Sequence, residues 1–348
     1  MNRFKSIVLV VLAAVVATTY ALMPTVAQAQ GSAALSITPK KNYVIEPGET
    51  VNDTLTIRNL DQNEPLNLTL RVVDFTFTDD GGTPKLMLAE DAPQTTWSLK
   101  PFLTVPKTVS VAPSTSETLD MSVAIPEDHG AGSYYSAIVY SSGSSDAGNV
   151  GLSASGVSLV FTSIPGQVKE NLILEKLGAY NDTENKFMYF NGEKPTKIGY
   201  TLKNEGNVTE APVGSITVRH MFGQEHVIND INPNGSLALI GQTRTFQSCI
   251  KQQQEEVDFN GSRAEATDCV PAGLWPGYYS VELNAFYGQN GNRTQDLSGT
   301  ASFWYLPWWF VLAFIAVVLF AAYHIWKIVR FVKMRKQKNV FKKRSQRK

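Results

Sequence analysis

Leu66, Leu68, Leu70 and Val72 alternate with Asn67, Thr69 and Arg71, the two-residue period of a strand with one buried and one wet face. The period returns in Leu119, Met121, Val123 and Ile125, in Ile198, Tyr200 and Leu202, in Ile216 and Val218, and in Val281, Leu283 and Ala285. Turn formers separate the runs: Pro47-Gly48, Asp79-Asp80-Gly81-Gly82, Pro113-Ser114, Asn191-Gly192, Asn204-Glu205-Gly206-Asn207 and Pro233-Asn234-Gly235. No long helical pattern lies between the two ends of the chain, which argues against a parallel α/β fold with its crossover helices. The pattern predicts an all-β chain built as sandwiches.

A weak internal repeat predicts two of them. Ile57-Arg58-Asn59-Leu60-Asp61 and Leu202-Lys203-Asn204-Glu205-Gly206 both read as a strand ending in an Asn turn, and residues 132–138 find an echo in residues 277–283. The expected layout is a signal peptide at 1–29, a first β domain at 30–168, a second at 169–303, a transmembrane helix at 304–326 and a basic tail at 327–348. The junction falls near residues 166–171, and the Ser/Gly-rich stretch 141–156 reads as a loop.

The ends supply the topology. Arg3 and Lys5 precede an apolar run, and Ala27-Gln28-Ala29 has the small-x-small form of a signal-peptidase site. Residues 304–326 contain no Lys, Arg, Asp or Glu. At a 1.5 Å rise they cover a hydrocarbon core of about 30 Å. Aromatic residues crowd both edges, as in interfacial belts. Eleven Lys/Arg and no acid follow in residues 327–348, so the positive-inside rule puts the tail in the cytoplasm and residues 30–303 outside. The expectation is a single-pass cell-membrane protein with its N-terminus out and the lipid bilayer as one partner.

Charge sharpens this picture. The chain's 31 Lys/Arg and 31 Asp/Glu cancel overall, yet removing the thirteen cations at the ends leaves the exported part near −13. That argues against nucleic acid as a partner. A hydrophobic fraction of 43 % and a charged fraction of 18 % exclude wholesale disorder. The two cysteines, Cys249 and Cys269, both lie in the exported part and bracket a polar stretch. An oxidising compartment favours a disulfide between them, because zinc would lack half of its ligands.

The first half resembles the N-terminal domain of the WxL-interacting proteins of Gram-positive bacteria and, more distantly, the immunoglobulin-like domains of pilus chaperones. The residues that carry this are Pro47-Gly48-Glu49-Thr50 followed by Leu55-Thr56-Ile57-Arg58-Asn59, Pro101-Phe102-Leu103, Val109-Ser110-Val111-Ala112-Pro113, Val123-Ala124-Ile125-Pro126, and 132–139. The resemblance implies two tandem immunoglobulin-like β-sandwich domains. It also implies a membrane-anchored, bacterial cell-surface adhesion or scaffold role, binding peptidoglycan with the first domain or another surface protein. The alternative is an envelope assembly factor or chaperone acting by β-strand addition.

No catalytic constellation is read from the sequence. There is no His-Glu-x-x-His, Gly-x-Ser-x-Gly or phosphate-binding glycine loop, so a non-enzyme without cofactor, metal or small-molecule substrate is expected. His129 reads as a solvated turn residue, and His220 and His226 as flanks of an exposed hairpin. Asp79-Asp80 reads as a turn, and Glu255-Glu256 as part of the polar stretch. Trp97, Tyr134, Tyr135, Trp275, Tyr278 and Tyr279 are the candidate ligand contacts, since sugar rings stack on aromatic faces. Strand alternation sends one ring of each Tyr-Tyr pair inward. Seven Asn-x-Ser/Thr sequons, at Asn52, Asn67, Asn181, Asn207, Asn234, Asn260 and Asn292, are read as turn and strand-face residues.

Overall fold

A computed structural model describes residues 35–77, 84–89, 91–142, 154–259, 262–288 and 294–345. The expected signal peptide, the Asp79-Asp80-Gly81-Gly82 turn, most of the Ser/Gly loop, and Asn260 and Asn292 lie outside them. The first eleven strands are β1 (Leu35–Ile37), β2 (Lys40–Val44), β3 (Thr50–Asn59), β4 (Leu66–Val73), β5 (Phe75–Phe77), β6 (Pro84–Leu86), β7 (Leu103–Thr104), β8 (Thr108–Val111), β9 (Ser116–Ala124), β10 (Gly132–Ser142) and β11 (Ala154–Ile164). One sheet has the order β1-β3-β9-β7 and the facing sheet β2-β11-β10-β4-β8. The two inner faces interdigitate through Leu55, Ile57, Leu68, Leu70, Met121, Val123, Ile138 and Val160, which are the residues that alternation turns inward.

The next eleven strands are β12 (Leu172–Asn181), β13 (Lys186–Phe187), β14 (Phe190–Asn191), β15 (Lys197–Asn204), β16 (Val213–His220), β17 (Glu225–Ile228), β18 (Thr243–Cys249), β19 (Gln252–Phe259), β20 (Ser262–Cys269), β21 (Gly277–Tyr287) and β22 (Gln295–Tyr305). Their sheets, β13-β12-β15-β18 and β14-β22-β21-β16-β17, repeat the first plan. Even the exception recurs: β2 lies parallel to β11, and β14 parallel to β22. The chain therefore is two tandem immunoglobulin-like sandwiches, the second built around Tyr200, Leu202, Ile216, Val218, Tyr279, Val281 and Leu283.

Each copy carries its own insertion. Between β4 and β8 the first holds the β5–β6 hairpin and the segment leading to Trp97. In the second, β19 and β20 pair from Gln252↔Cys269 to Phe259↔Ser262. This polar stretch, without apolar period, is thus a hairpin, because antiparallel backbones pair whatever the side chains. Cys249 and Cys269 close its base as a disulfide with Cα atoms 5.1 Å apart.

The terminal helix, α1 (Trp308–Ser345), starts later than the pattern of apolar residues predicts. Trp304 and Tyr305 are strand residues, held in the ladder opposite Tyr278 and Gly277, and only Leu306 and Pro307 separate that ladder from the helix. The stretch Trp308–Met334 is long and apolar enough to cross a membrane.

Candidate functional site

The outer face of the β4–β10–β11 sheet is the first place to look for a binding surface, since β10 carries both tyrosines of the first pair. Tyr135 does face outward from its own sandwich, yet it is fully buried. Trp97 stacks on it at 6.1 Å, and Phe75 and Phe161 pack on its other sides. Leu239, from the second sandwich, completes the cluster. Two of the candidate contacts, Trp97 and Tyr135, therefore meet at the junction between sandwiches. The cover arrives from residues remote in sequence, so alternation alone does not reveal it.

Polar contacts fix that cover. The buried Asp74 carboxylate accepts from Ser98 Oγ (2.6 Å), Ser136 Oγ (3.0 Å), and the Thr95 amide and hydroxyl (3.0 and 3.1 Å). Four donors leave none of its oxygens dry and unpaired. Across the junction, Ser133 N–H donates to Asn207 O (3.0 Å), Asn207 Nδ2 to Ala131 O (3.1 Å), and Phe77 N–H to Gln242 Oε1 (3.1 Å). Gly132 is required here: its φ is +149°, and a Cβ would lie 2.7 Å from the Asn207 carbonyl.

A buried carboxyl sits beside these contacts. Glu210 is bridged to Ala238 through the backbone and its Oε2 accepts the Gly288 N–H at 3.1 Å. Burial, then the charge of Glu170, push its carboxyl up to about 7, and the Gly288 bond offsets part of this. The opposite case is Asp53, where Lys41 Nζ (2.7 Å) and Tyr43 Oη (2.6 Å) donate to one oxygen. Those bonds, with the Thr54 amide, hold its carboxyl down at about 2.

The other candidate rings are dispersed. Tyr134 faces the first core, half-buried, with its hydroxyl on Gly130 O (3.0 Å). Tyr279 is fully buried, stacked on Phe303 and bonded to Trp275 O (2.8 Å). Tyr278 meets Trp304 edge to face, and Trp275 is exposed. No common ring platform forms.

Two of the histidines are more enclosed than expected. His129 is half-buried, its ring lying between Phe102 and Tyr134 at 4.6 and 4.5 Å. His220 is buried against Tyr279 rather than exposed, because β16 continues through it into the ladder. Among the described residues no group of three or more His, Cys, Asp or Glu is placed to hold a metal ion.

One backbone edge was not legible in the sequence. β9 pairs with β3 along one side, while on the other, among the described residues, β7 caps only Val123 and Ser122. Thr115 O accepts from Asn59 N–H (2.9 Å), and Ile125 N–H donates to Glu49 O (3.0 Å), both toward β3. Alternation then turns the N–H and C=O groups of Ser116, Thr118 and Asp120 to the uncapped side. A groove of about 630 Å³ opens where the chain leaves β7, lined by Asn52–Thr54, Thr104–Pro106 and Asp120–Ser122.

No protein-family model matches the chain, and no curated protein matches it. Solved structures of pilus chaperones are similar to it. The class 5 fimbriae chaperone CfaA is 12 % identical over 76 % of this chain and 98 % of that one, with a TM-score of 0.33. The E. coli chaperone DraB is 13 % identical over 78 % and 98 %, at 0.31. A chain of the Salmonella enterica SafA pilin–SafB chaperone complex is 10 % identical over 77 % and 96 %, at 0.32.

Proposed function

We propose that this chain is a membrane-tethered, non-enzymatic protein that takes an extended segment of an exported protein partner by β-strand addition along β9. The observation that carries the reading is the uncapped edge of β9. Three successive outward peptide groups, at Ser116, Thr118 and Asp120, begin where the two-residue strand β7 stops, so an incoming segment would continue β7 in the same antiparallel sense. Such a row of unpaired donors and acceptors is a template for another strand. The adjoining groove gives alternate side chains of that segment a place to sit.

The tether is α1, with residues 30–303 outside and the basic tail inside, as the charge asymmetry implies. A wall-polymer platform, which the WxL-interacting resemblance implies, has less support. Of the rings it would use, Tyr135 and Tyr279 are internal and Trp97 is half-covered.

Thr118→Pro tests the reading. Proline deletes an N–H that the β3 ladder does not use, a place where edge strands tolerate it. A photo-crosslinking residue at Asp120 on intact cells should form a protein adduct, and Thr118→Pro should abolish it while the melting transition is kept. Adducts that survive Thr118→Pro, or that form with wall polymer instead of protein, overturn the reading.

A further inference from the structure

We infer that the second sandwich rests on the outer surface of the lipid bilayer through one end of its β14–β22–β21–β16–β17 sheet; this rests on α1 being a membrane span. The last pairs of β22 join Trp304 to Phe190 and Tyr278, and Tyr305 to Gly277. At that same end Met221 N–H bonds to Tyr278 O (3.0 Å), and Tyr189 O accepts from Trp304 N–H (2.7 Å). Everything within a residue or two of these pairs is therefore at the level where the chain enters α1.

That end is apolar and bare. Phe222 is 80 % exposed, Trp275 69 % and Phe190 60 %, with Met221 and Tyr189 beside them. Five strands at about 4.8 Å spacing spread these side chains over roughly 19 Å. Elsewhere among the described residues outside α1, Phe286 is the one other exposed large aromatic, and the first sandwich exposes only Val44 and Leu60 among large apolar side chains. Large apolar side chains gathered at one rim mark an interaction surface.

The occupant follows from chain continuity. With Leu306 and Pro307 alone between Tyr305 and Trp308, a spanning α1 holds this rim at the depth where Trp and Tyr concentrate in membrane proteins. The opposite sheet differs at the same end. Its β12–β13 turn carries Asp182 and Glu184 and leads into Lys186 at the start of β13, and the polar β19–β20 hairpin departs beside Lys197, the partner of Cys249. The sandwich is thus tilted, with the Phe222–Trp275 side down in the headgroups and the β12–β13 turn lifted away.

Fluorophores attached singly to cysteines at Phe222, Trp275, Thr183, Val44 and Val317 of the full chain, in phosphatidylcholine vesicles with nitroxide near the headgroup or deep in the tails, test this. The native cysteines are already paired. Labels at 222 and 275 should be quenched several-fold more by the shallow nitroxide than labels at 183 and 44, and the label at 317 by the deep one. Quenching at 222 and 275 no greater than at 44, with 317 still quenched, overturns the docking and leaves the span. An unquenched 317 overturns the span and the docking with it. Label-free, brominated lipid should quench the Trp275 emission, taken as the difference between the parent and Trp275→Tyr; no quenching of that difference counts against docking.

Discussion

Asn59 and Asn204 occupy the same position in the two sandwiches and hold the same three bonds. Asn59 Nδ2 donates to the carbonyls of Glu64 (2.9 Å) and Val111 (3.1 Å), while its Oδ1 accepts the Asp61 amide (2.9 Å). Asn204 Nδ2 donates to Val208 (2.7 Å) and Ala238 (2.9 Å), and its Oδ1 accepts the Gly206 amide (2.9 Å). Each side chain ties the end of a central strand both to the turn that follows it and to a segment more than 30 residues further along the chain. The separation is the one that relates Gly132 to Gly277, and Tyr134 to Tyr279.

Asn204→Ala should therefore strip the Val208 carbonyl and the Gly206 amide of this partner and leave Ala238 O with the Glu210 N–H alone, lowering stability by about 1 to 3 kcal/mol in urea titrations. Asn204→Asp should do no better, since a carboxylate cannot donate to Val208 and Ala238. A loss below about 0.5 kcal/mol, the size of a surface change, would show that the bonds are dispensable.

Glu210 makes stability depend on pH. Its carboxyl titrates near 7 in the fold against an ordinary 4.5, so the folded chain binds this proton more tightly than the unfolded one. Its contribution is fully present below pH 4.5, falls as pH rises to about 7, and is flat above. The size is on the order of 1 to 3 kcal/mol. Glu210→Gln, which keeps an acceptor for Gly288, should remove this decline from a series of melts between pH 5 and 8. Asp53 has the reverse sign: held at about 2 against 3.8, its contribution is present above pH 3.8 and lost as pH falls through 2. Asp53→Asn should flatten only that acid limb.

Leu239 couples the two cores. Truncation to Ala removes the one fully buried side chain that the second sandwich places in the Tyr135–Phe75–Phe161 cluster, at about 2 to 5 kcal/mol. Calorimetry of the full chain should show one transition splitting into two, the sandwiches melting separately. A single transition in Leu239→Ala would mean that the polar contacts of Asn207 and Ser133 suffice.

Cys249→Ser opens the base of the β19–β20 hairpin. On the chain-entropy model a bridge across a sequence separation of 20 is worth about 3 kcal/mol. Amide exchange should rise first in the strands Gln252–Phe259 and Ser262–Cys269, with β3 and β9 unaffected.

Alternation was enough to place the strands whose inner faces read Leu68, Leu70 or Ile216, Val218, because burial of one face is a local property of the sequence. The Asn turns were legible for the same reason. What alternation could not show is burial from outside: Tyr135 points away from its own core and is enclosed only because Trp97 and Leu239 arrive over it. Trp304 and Tyr305 read as the start of the span because aromatic content is the same in an interfacial belt and in a strand; their pairing with Tyr278 and Gly277 decides it. The β9 edge left no mark at all, since uncapped peptide groups are a property of where β7 ends and not of any side chain.

The junction also has a mechanical meaning. From β9 the chain runs through a hydrogen-bonded sandwich, a junction held by Asn207 and the Trp97 cluster, a second sandwich, and a joint of just Leu306 and Pro307 into α1. The irregular link 165–171 between the sandwiches is pinned by two bonds between Lys169 and Asn207, so tension applied at the β9 edge would reach the helix without first drawing out slack. A force–extension trace of the tethered chain should begin stiff, and its first rupture should come from a ladder giving way rather than from a spring running out.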